Sequence, residues 1–279
     1  MVVSQKRYKT HFISLFKFLF YYMLMTPLFF SESLEGMQKA LNIFQEYCNL
    51  WKCSVNWSKT KVIVFSKRKG RQNYVVQLNG AELEIVDSLT YLGIVFKYNR
   101  NFFDARKKLV EQSQKSLFAI YKKIRNQNIP IDVQLKLLDS LVEPILLYGS
   151  EVWGYENLEI LERVHLQFCK RILNLRLSTP NFMVYGELGR HPLNIWVQLR
   201  MISFWCKPIQ NENKLSDIRY KLMFNLQMNA DYDFRWIFHI RSVFDRTGLR
   251  YIFSNQIQIK FCNLKPLLFE RLRDQFIQV

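Results

Sequence analysis

The sequence predicts an α+β fold, in which a small mixed or antiparallel sheet with one helix is followed by a mainly helical remainder. Three observations carry that prediction. Leu34, Met37, Leu41, Phe44, Cys48 and Trp51 recur at alternating spacings of three and four, so they line one face of a helix. Short apolar runs between Tyr74 and Phe96 are broken by Asn79-Gly80, the dipeptide that best tolerates a two-residue turn with positive φ. After Asn99 the apolar period becomes helical and stays so.

Taken in order, residues 12–30 are almost wholly apolar, interrupted by Ser14, Lys17 and Thr26 and preceded by Lys6, Arg7 and Lys9. A basic flank before an apolar run is the pattern of a signal anchor or an uncleaved signal peptide. Against that, Lys17 would cost about 2.5–3.5 kcal/mol at the centre of a membrane span, and Pro27 disturbs the last turn. Ser31 or Ser33 caps the helix that follows, with Glu32 and Glu35 at its positive end. Strands are expected at residues 54–56 and 62–65, a hairpin from 74–78 and 82–86, and a further strand over 89–96 containing Gly93. Helices are expected over 105–126, after Pro130, over 158–175, and from Thr179-Pro180 to Gly189, with an aromatic, basic and helical stretch beyond. These elements divide the chain into residues 1–30, 31–98, 99–175 and 176–279.

Lys and Arg number 40 against 23 Asp and Glu, a formal charge of +17 that favours a polyanionic partner, nucleic acid before all others. The five cysteines are an odd and scattered set, which suits a reducing compartment rather than a disulfide framework. His165 with Cys169, and Cys48 with Cys53, fall short of the four-ligand spacing that zinc needs. The expected location is nuclear or cytoplasmic rather than secreted, with no small-molecule partner.

Four local runs then stand in a fixed order. The first is Tyr47-Cys48-x-x-Trp51 followed by Val55-Asn56-x-x-Lys59-Thr60-Lys61-x-x-x-Phe65, and the second is Tyr91-Leu92-Gly93. The third is Leu147-Tyr148-Gly149-Ser150-Glu151-Val152-Trp153, and the fourth is Val184-Tyr185-Gly186-Glu187-Leu188-Gly189-Arg190. Over roughly residues 31–256 the chain resembles the reverse transcriptase of non-LTR (LINE-type) retrotransposons. The resemblance implies the end of a polymerase palm over 31–98, a helical thumb over 99–175 and a helical C-terminal extension.

It also implies roles. Lys59 matches the palm lysine thought to protonate departing pyrophosphate, a role that requires hydrogen-bond reach of the leaving group. Tyr91, Leu92 and Gly93 match the primer grip. The thumb holds template–primer duplex by its backbone, and here Lys97, Arg100, Arg106, Lys107, Lys108, Lys115, Lys122, Lys123 and Arg125 face Asp104 and Glu111. That cluster on a helix and its lead-in is expected to contact phosphates, with Arg106, Lys107, Lys108, Lys115, Lys122 and Lys123 as the main contributors.

The chain departs from the pattern where the chemistry resides. Polymerases transfer nucleotides through metal ions, Mg²⁺ in this family, held by clustered carboxylates. The positions that correspond to the Tyr-x-Asp-Asp turn read Met23-Leu24-Met25-Thr26, and no acidic residue precedes Glu32. If codon 22 is TAT and codon 24 is CTG, the bases read one position earlier give Tyr-Ala-Asp-Asp. Residues before about Pro27 are therefore expected to be a frameshifted reading of a catalytic turn. The expectation is a chain without polymerase activity or cofactor that retains sequence-independent affinity for nucleic acid. Two other readings stay open: a fragment active only with a polymerase front half, and a basic membrane-associated protein anchored by residues 12–30.

Overall fold

The protein is mixed α+β in this computed structural model, which describes residues 2–4, 27–66, 74–125, 127–210, 215–229 and 234–277. It divides into two compact units, Met1–Ala105 and Arg106–Val279. No division falls at residue 175, because helices on either side of that point pack on one another.

The first unit is built on a four-stranded sheet of β1 (Val2–Ser4), β2 (Phe30–Ser31), β3 (Lys61–Phe65) and β6 (Glu84–Ile85). Its strand order is β2-β1-β3-β6, and every pairing is parallel. Two antiparallel hairpins accompany it, β4 (Gln77–Leu78) with β5 (Ala81–Glu82) and β7 (Ser88–Tyr91) with β8 (Ile94–Lys97). The residues expected to be non-native thus include a central strand, Val2–Ser4, which pairs with Phe30–Ser31 and with residues 63–65. The remaining residues of that segment up to 26 lie outside the described ones.

Helix α1 (Leu34–Leu50) forms as its periodicity requires through Cys48, but Trp51, expected on the same face, lies beyond the last turn as the C-cap and is exposed. Ser33 caps the helix by accepting a hydrogen bond from the Gly36 amide at 3.0 Å, and Glu35 sits in the first turn. A Cβ at Gly36 would lie 2.5 Å from Ser31 Oγ, so glycine admits the incoming strand here. The apolar face of α1 supplies Met37 and Leu41 to a core with Phe29, Val62, Val76, Leu78 and Leu83. Two glutamines of α1 pin the first hairpin. Gln38 bonds both the carbonyl and the amide of Gln77 (2.8 and 3.0 Å), and Gln45 accepts from the Asn79 amide at 2.9 Å. The turn itself places Asn79 at φ 50° and Gly80 at 72°, as the dipeptide predicts.

Three strand expectations are corrected. The four-stranded sheet is parallel where a mixed or antiparallel one was expected, and Glu84–Ile85, expected in the hairpin, pairs with β3 instead, because these pairings join segments distant in sequence. Residues 54–56 are not a strand: Asn56 caps a single 3₁₀ turn, Trp57–Lys59, its side chain accepting from the Lys59 amide at 3.2 Å. Residues 89–96 are not one strand but a hairpin, turning at Leu92 (φ 47°) and Gly93 (φ 82°). Its register pairs Tyr91 with Ile94 and Leu89 with Phe96.

The second unit is helical. After α2 (Phe103–Ile124) come α3 (Ile131–Leu141), with Pro130 as its N-cap, the short α4 (Glu143–Leu146) and α5 (Ser150–Trp153), and α6 (Glu159–Ile172). Then follow α7 (Asn181–Leu188), α8 (Leu193–Gln210), α9 (Leu215–Asn229), α10 (Arg235–Arg246), α11 (Arg250–Ser254) and α12 (Phe261–Ile277). Gly189 closes α7 at φ 60°, the left-handed position where glycine meets no Cβ penalty. Helix α8 is the centre. Leu193, Ile195, Val197, Leu199, Met201, Ile202, Trp205 and Cys206 are buried over most of its circumference, and Arg200, Phe204 and Lys207 lie on the side left exposed. Those neighbours include α5, α6, α9, α10 and α12. Trp205 lies 5.0 Å from Phe244 and 6.0 Å from Phe253, centroid to centroid. Its indole N–H donates to the Tyr220 hydroxyl at 2.8 Å, and that hydroxyl donates to Gln256 at 2.8 Å, so the buried polar atoms are satisfied. Among the described residues no helix is long and apolar enough to cross a membrane. The proposed anchor, residues 12–30, lies mostly outside them.

Candidate nucleic-acid interface

Helix α2 has two sides of opposite character. Ala105, Leu109, Ser113, Leu117 and Ile120 are buried, spaced by three and four, and they turn one arc of the helix inward. The other arc carries Lys107, Lys115, Lys122 and Lys123 exposed and Lys108 partly so, with Glu111 as the acid among them. On an ideal helix Lys108, Lys115 and Lys122 fall within about 40° of one another, forming a stripe that Lys107 and Lys123 flank. Such a stripe offers several point charges to a polyanion at once. Phe118 stands on the same arc with 71% of its surface exposed.

Arg106 departs from the expected set of phosphate contacts. It belongs to the inward arc and is only 5% exposed. Its guanidinium pairs with Glu156 at 2.5 Å and also donates to the Asn157 carbonyl. This arginine ties α2 to the loop before α6 and is not presented to a ligand. The sequence did hold a signal, because Arg106, Leu109, Ser113, Leu117 and Ile120 share the three-and-four spacing of the buried arc. Lys97 is likewise engaged, by Asp104 at 2.7 Å, and that hydrogen bond holds its ammonium above the usual lysine range.

Lys59 is exposed at the end of its 3₁₀ turn, preceded by Asn56 and Ser58, whose side chains bond each other at 2.8 Å. Tyr91, Leu92 and Gly93 form the tip of the β7–β8 hairpin. Leu92, 56% exposed, occupies the left-handed region at a position where Asn or Gly is the usual residue. A branched side chain held there is a local strain of the sort that clusters at contact sites.

The other two motif runs hold the helical unit together. Gly149 begins α5 at φ 69° and lets Trp153 fold back, its indole donating to the Tyr148 carbonyl at 3.0 Å. The Leu147 carbonyl accepts from Arg200 at 3.2 Å, and the Glu151 carbonyl from Trp236 at 2.7 Å. From the fourth run, the Tyr185 hydroxyl donates to Glu162, and burial beside that carboxylate pushes its ionisation far above the usual range. Arg190 donates to Asp139 at 2.5 Å and to His165 Nε2 at 3.2 Å, and lies 3.7 Å from Glu143. Asp139, Glu143 and Arg190 border a cavity of about 350 Å³ lined also by Leu147, Gly189, His191, Trp196 and Arg200. Burial raises the Glu143 carboxyl above its ordinary value, and Arg190 opposes that rise. None of these polar partnerships was evident from the sequence, since they join positions as far apart as Asp139 and Arg190.

Mg²⁺ takes hard oxygen ligands, and Met23-Leu24-Met25-Thr26 offers no carboxylate. Those four positions lie outside the described residues. Among the described residues no three His, Cys, Asp or Glu side chains come together as a metal site. Cys48, Cys169 and Cys206 are buried free thiols, and Cys53 and Cys262 are exposed ones. Compared with models of known protein families, with curated proteins and with solved structures, the chain matches none.

Proposed function

We propose that this chain is a remnant of a non-LTR reverse transcriptase that binds nucleic acid without reading its sequence and does not copy it. The observation that carries the binding is the outward arc of α2, where five lysines gather with one glutamate on a helix whose other side is buried. Phosphate contacts by such residues are indifferent to sequence, because the backbone carries no base identity. The family origin is supported by the four motif runs in their order along the chain. The loss of copying is argued from the catalytic-turn positions: Met23-Leu24-Met25-Thr26 supplies no carboxylate to a metal clamp for the attacking and leaving oxygens.

Binding is tested by fluorescence anisotropy with a labelled duplex across a salt series. Affinity should fall with salt, with a slope of about −0.9 per phosphate neutralised. The triple variant K108Q/K115Q/K122Q should weaken binding and reduce the magnitude of that slope by about 1 to 3. Unchanged affinity and slope in a folded triple variant would return the lysines to an ordinary solvated face. Primer extension with Mg²⁺ or Mn²⁺ should yield no product. Extension that appears only on adding a polymerase front half would make the chain a trans-acting fragment instead. At the level of DNA, codon 22 should be TAT and codon 24 CTG, and other codons that break the Asp-Asp reading would remove the frameshift account.

A further inference from the structure

On the lysine arc of α2 one side chain is out of keeping with the rest. Phe118 exposes 71% of its surface, more than the other exposed phenylalanine of this helix, Phe103, at 49%. Ordinary helix propensity does not call for phenylalanine there, and the ring contributes little to the core that Leu117 and Ile120 serve. On an ideal helix it points along the lysine arc, with Lys115 one turn below and Lys122 one turn above. The neighbouring aromatic, Tyr121, is already engaged. Its ring stacks on Phe168 at 5.7 Å, and the Arg171 guanidinium sits 3.8 Å from its centroid.

We propose that Phe118 is a stacking platform for an unpaired base, so that the α2 face takes single-stranded nucleic acid in preference to duplex. This rests on the binding proposed above and names its substrate class. Cations that hold phosphates, interleaved with an open aromatic ring, are the two parts of a single-strand site that does not read sequence. A duplex can use the lysines, but its bases are stacked on one another and cannot reach the ring. A lipid surface suits the arc less well. An interfacial helix buries an apolar face along its length, whereas the apolar face of α2 is turned into the protein and Phe118 stands among Lys, Gln and Glu.

The test compares wild type, F118A, F118W and K108Q/K115Q/K122Q on three labelled ligands of equal length at one salt concentration. The ligands are oligothymidine, an abasic strand with the same phosphates, and a duplex. Because Phe118 is so exposed, F118A should keep the melting temperature of wild type. F118A should weaken oligothymidine binding by about fivefold to a hundredfold and leave the abasic strand and the duplex within about twofold. F118W should bind oligothymidine at least as tightly as wild type, since any aromatic face serves. An F118A effect that is absent, or equal on all three ligands, overturns the platform. If the lysine triple variant still weakens every ligand in that case, the phosphate-binding reading survives without the platform. Failure of wild type to bind any of the three overturns both, and Phe118-dependent binding to phosphatidylserine vesicles in its place would assign the arc to a membrane surface.

Discussion

Replacing Arg106 by alanine should destabilise the helical unit and leave the salt dependence of nucleic-acid binding alone. The side chain is 6% exposed and its partner Glu156 10%, with 2.5 Å between the guanidinium and the carboxylate. Arg106→Ala removes this contact and the one to the Asn157 carbonyl, and it takes the guanidinium away from a nearly buried carboxylate. Two hydrogen bonds to a charged group are worth about 1.5–3 kcal/mol each. Breaking one side of a buried ion pair costs about 3–5 kcal/mol, a range consistent with that sum. For a unit of this size 1 kcal/mol corresponds to about 2–4 °C, so the melting temperature should fall by roughly 6–20 °C. The assay is thermal unfolding followed by far-ultraviolet circular dichroism on the full chain, with K115A as a surface control expected within about 0.5 kcal/mol of wild type. The double variant R106M/E156L should recover most of the loss, because apolar residues of similar size carry no desolvation cost. Duplex binding measured well below the transition should retain the wild-type salt slope. A melting temperature within about 2 °C of wild type, together with a reduced salt slope, would refute the reasoning and return Arg106 to the phosphate-binding set.

Further outcomes follow from single features of the fold. L92N should raise stability by about 0.5–1 kcal/mol in chemical denaturation, since asparagine tolerates the left-handed turn at φ 47° and the half-exposed Leu92 contributes little burial. G154A should lower stability by about 1–3 kcal/mol, because a Cβ there would collide with Val197 and with the Ser150 carbonyl. Burial, with Arg246 adding to it, pushes the His239 imidazole from 6.5 down to about 4. Between those values the unfolded chain binds a proton that the folded one refuses, so stability is complete above about pH 6.5 and falls as pH drops toward 4. The contribution is at most about 1.4 kcal/mol per pH unit, and H239Q should flatten that part of the stability–pH curve.

The sequence by itself determined whatever depends on neighbours along the chain. The face of α1, its Ser33 cap, the Asn79-Gly80 turn and the Gly189 helix end all follow from local sterics and a period of three to four residues. The lysine stripe was equally legible, because spacing by seven keeps residues on one side of a helix wherever that helix packs. Only the tertiary structure decided which basic residues remain outside. Arg106 reads like its neighbours Lys107 and Lys108, and it is buried because Glu156, fifty residues on, meets it. Sheet pairing was illegible for the same reason. Val2–Ser4 lies between β2 and β3 through parallel registers that no local pattern encodes. Leu92 turned an expected strand into a hairpin against its own conformational preference. Helix α8 shows the limit most clearly: apolar residues occupy most of its circumference, with Arg200 and Lys207 on the remaining side, so periodicity marked no narrow inner face. It became the centre of the helical unit because helices from both sides of the sequence closed over it.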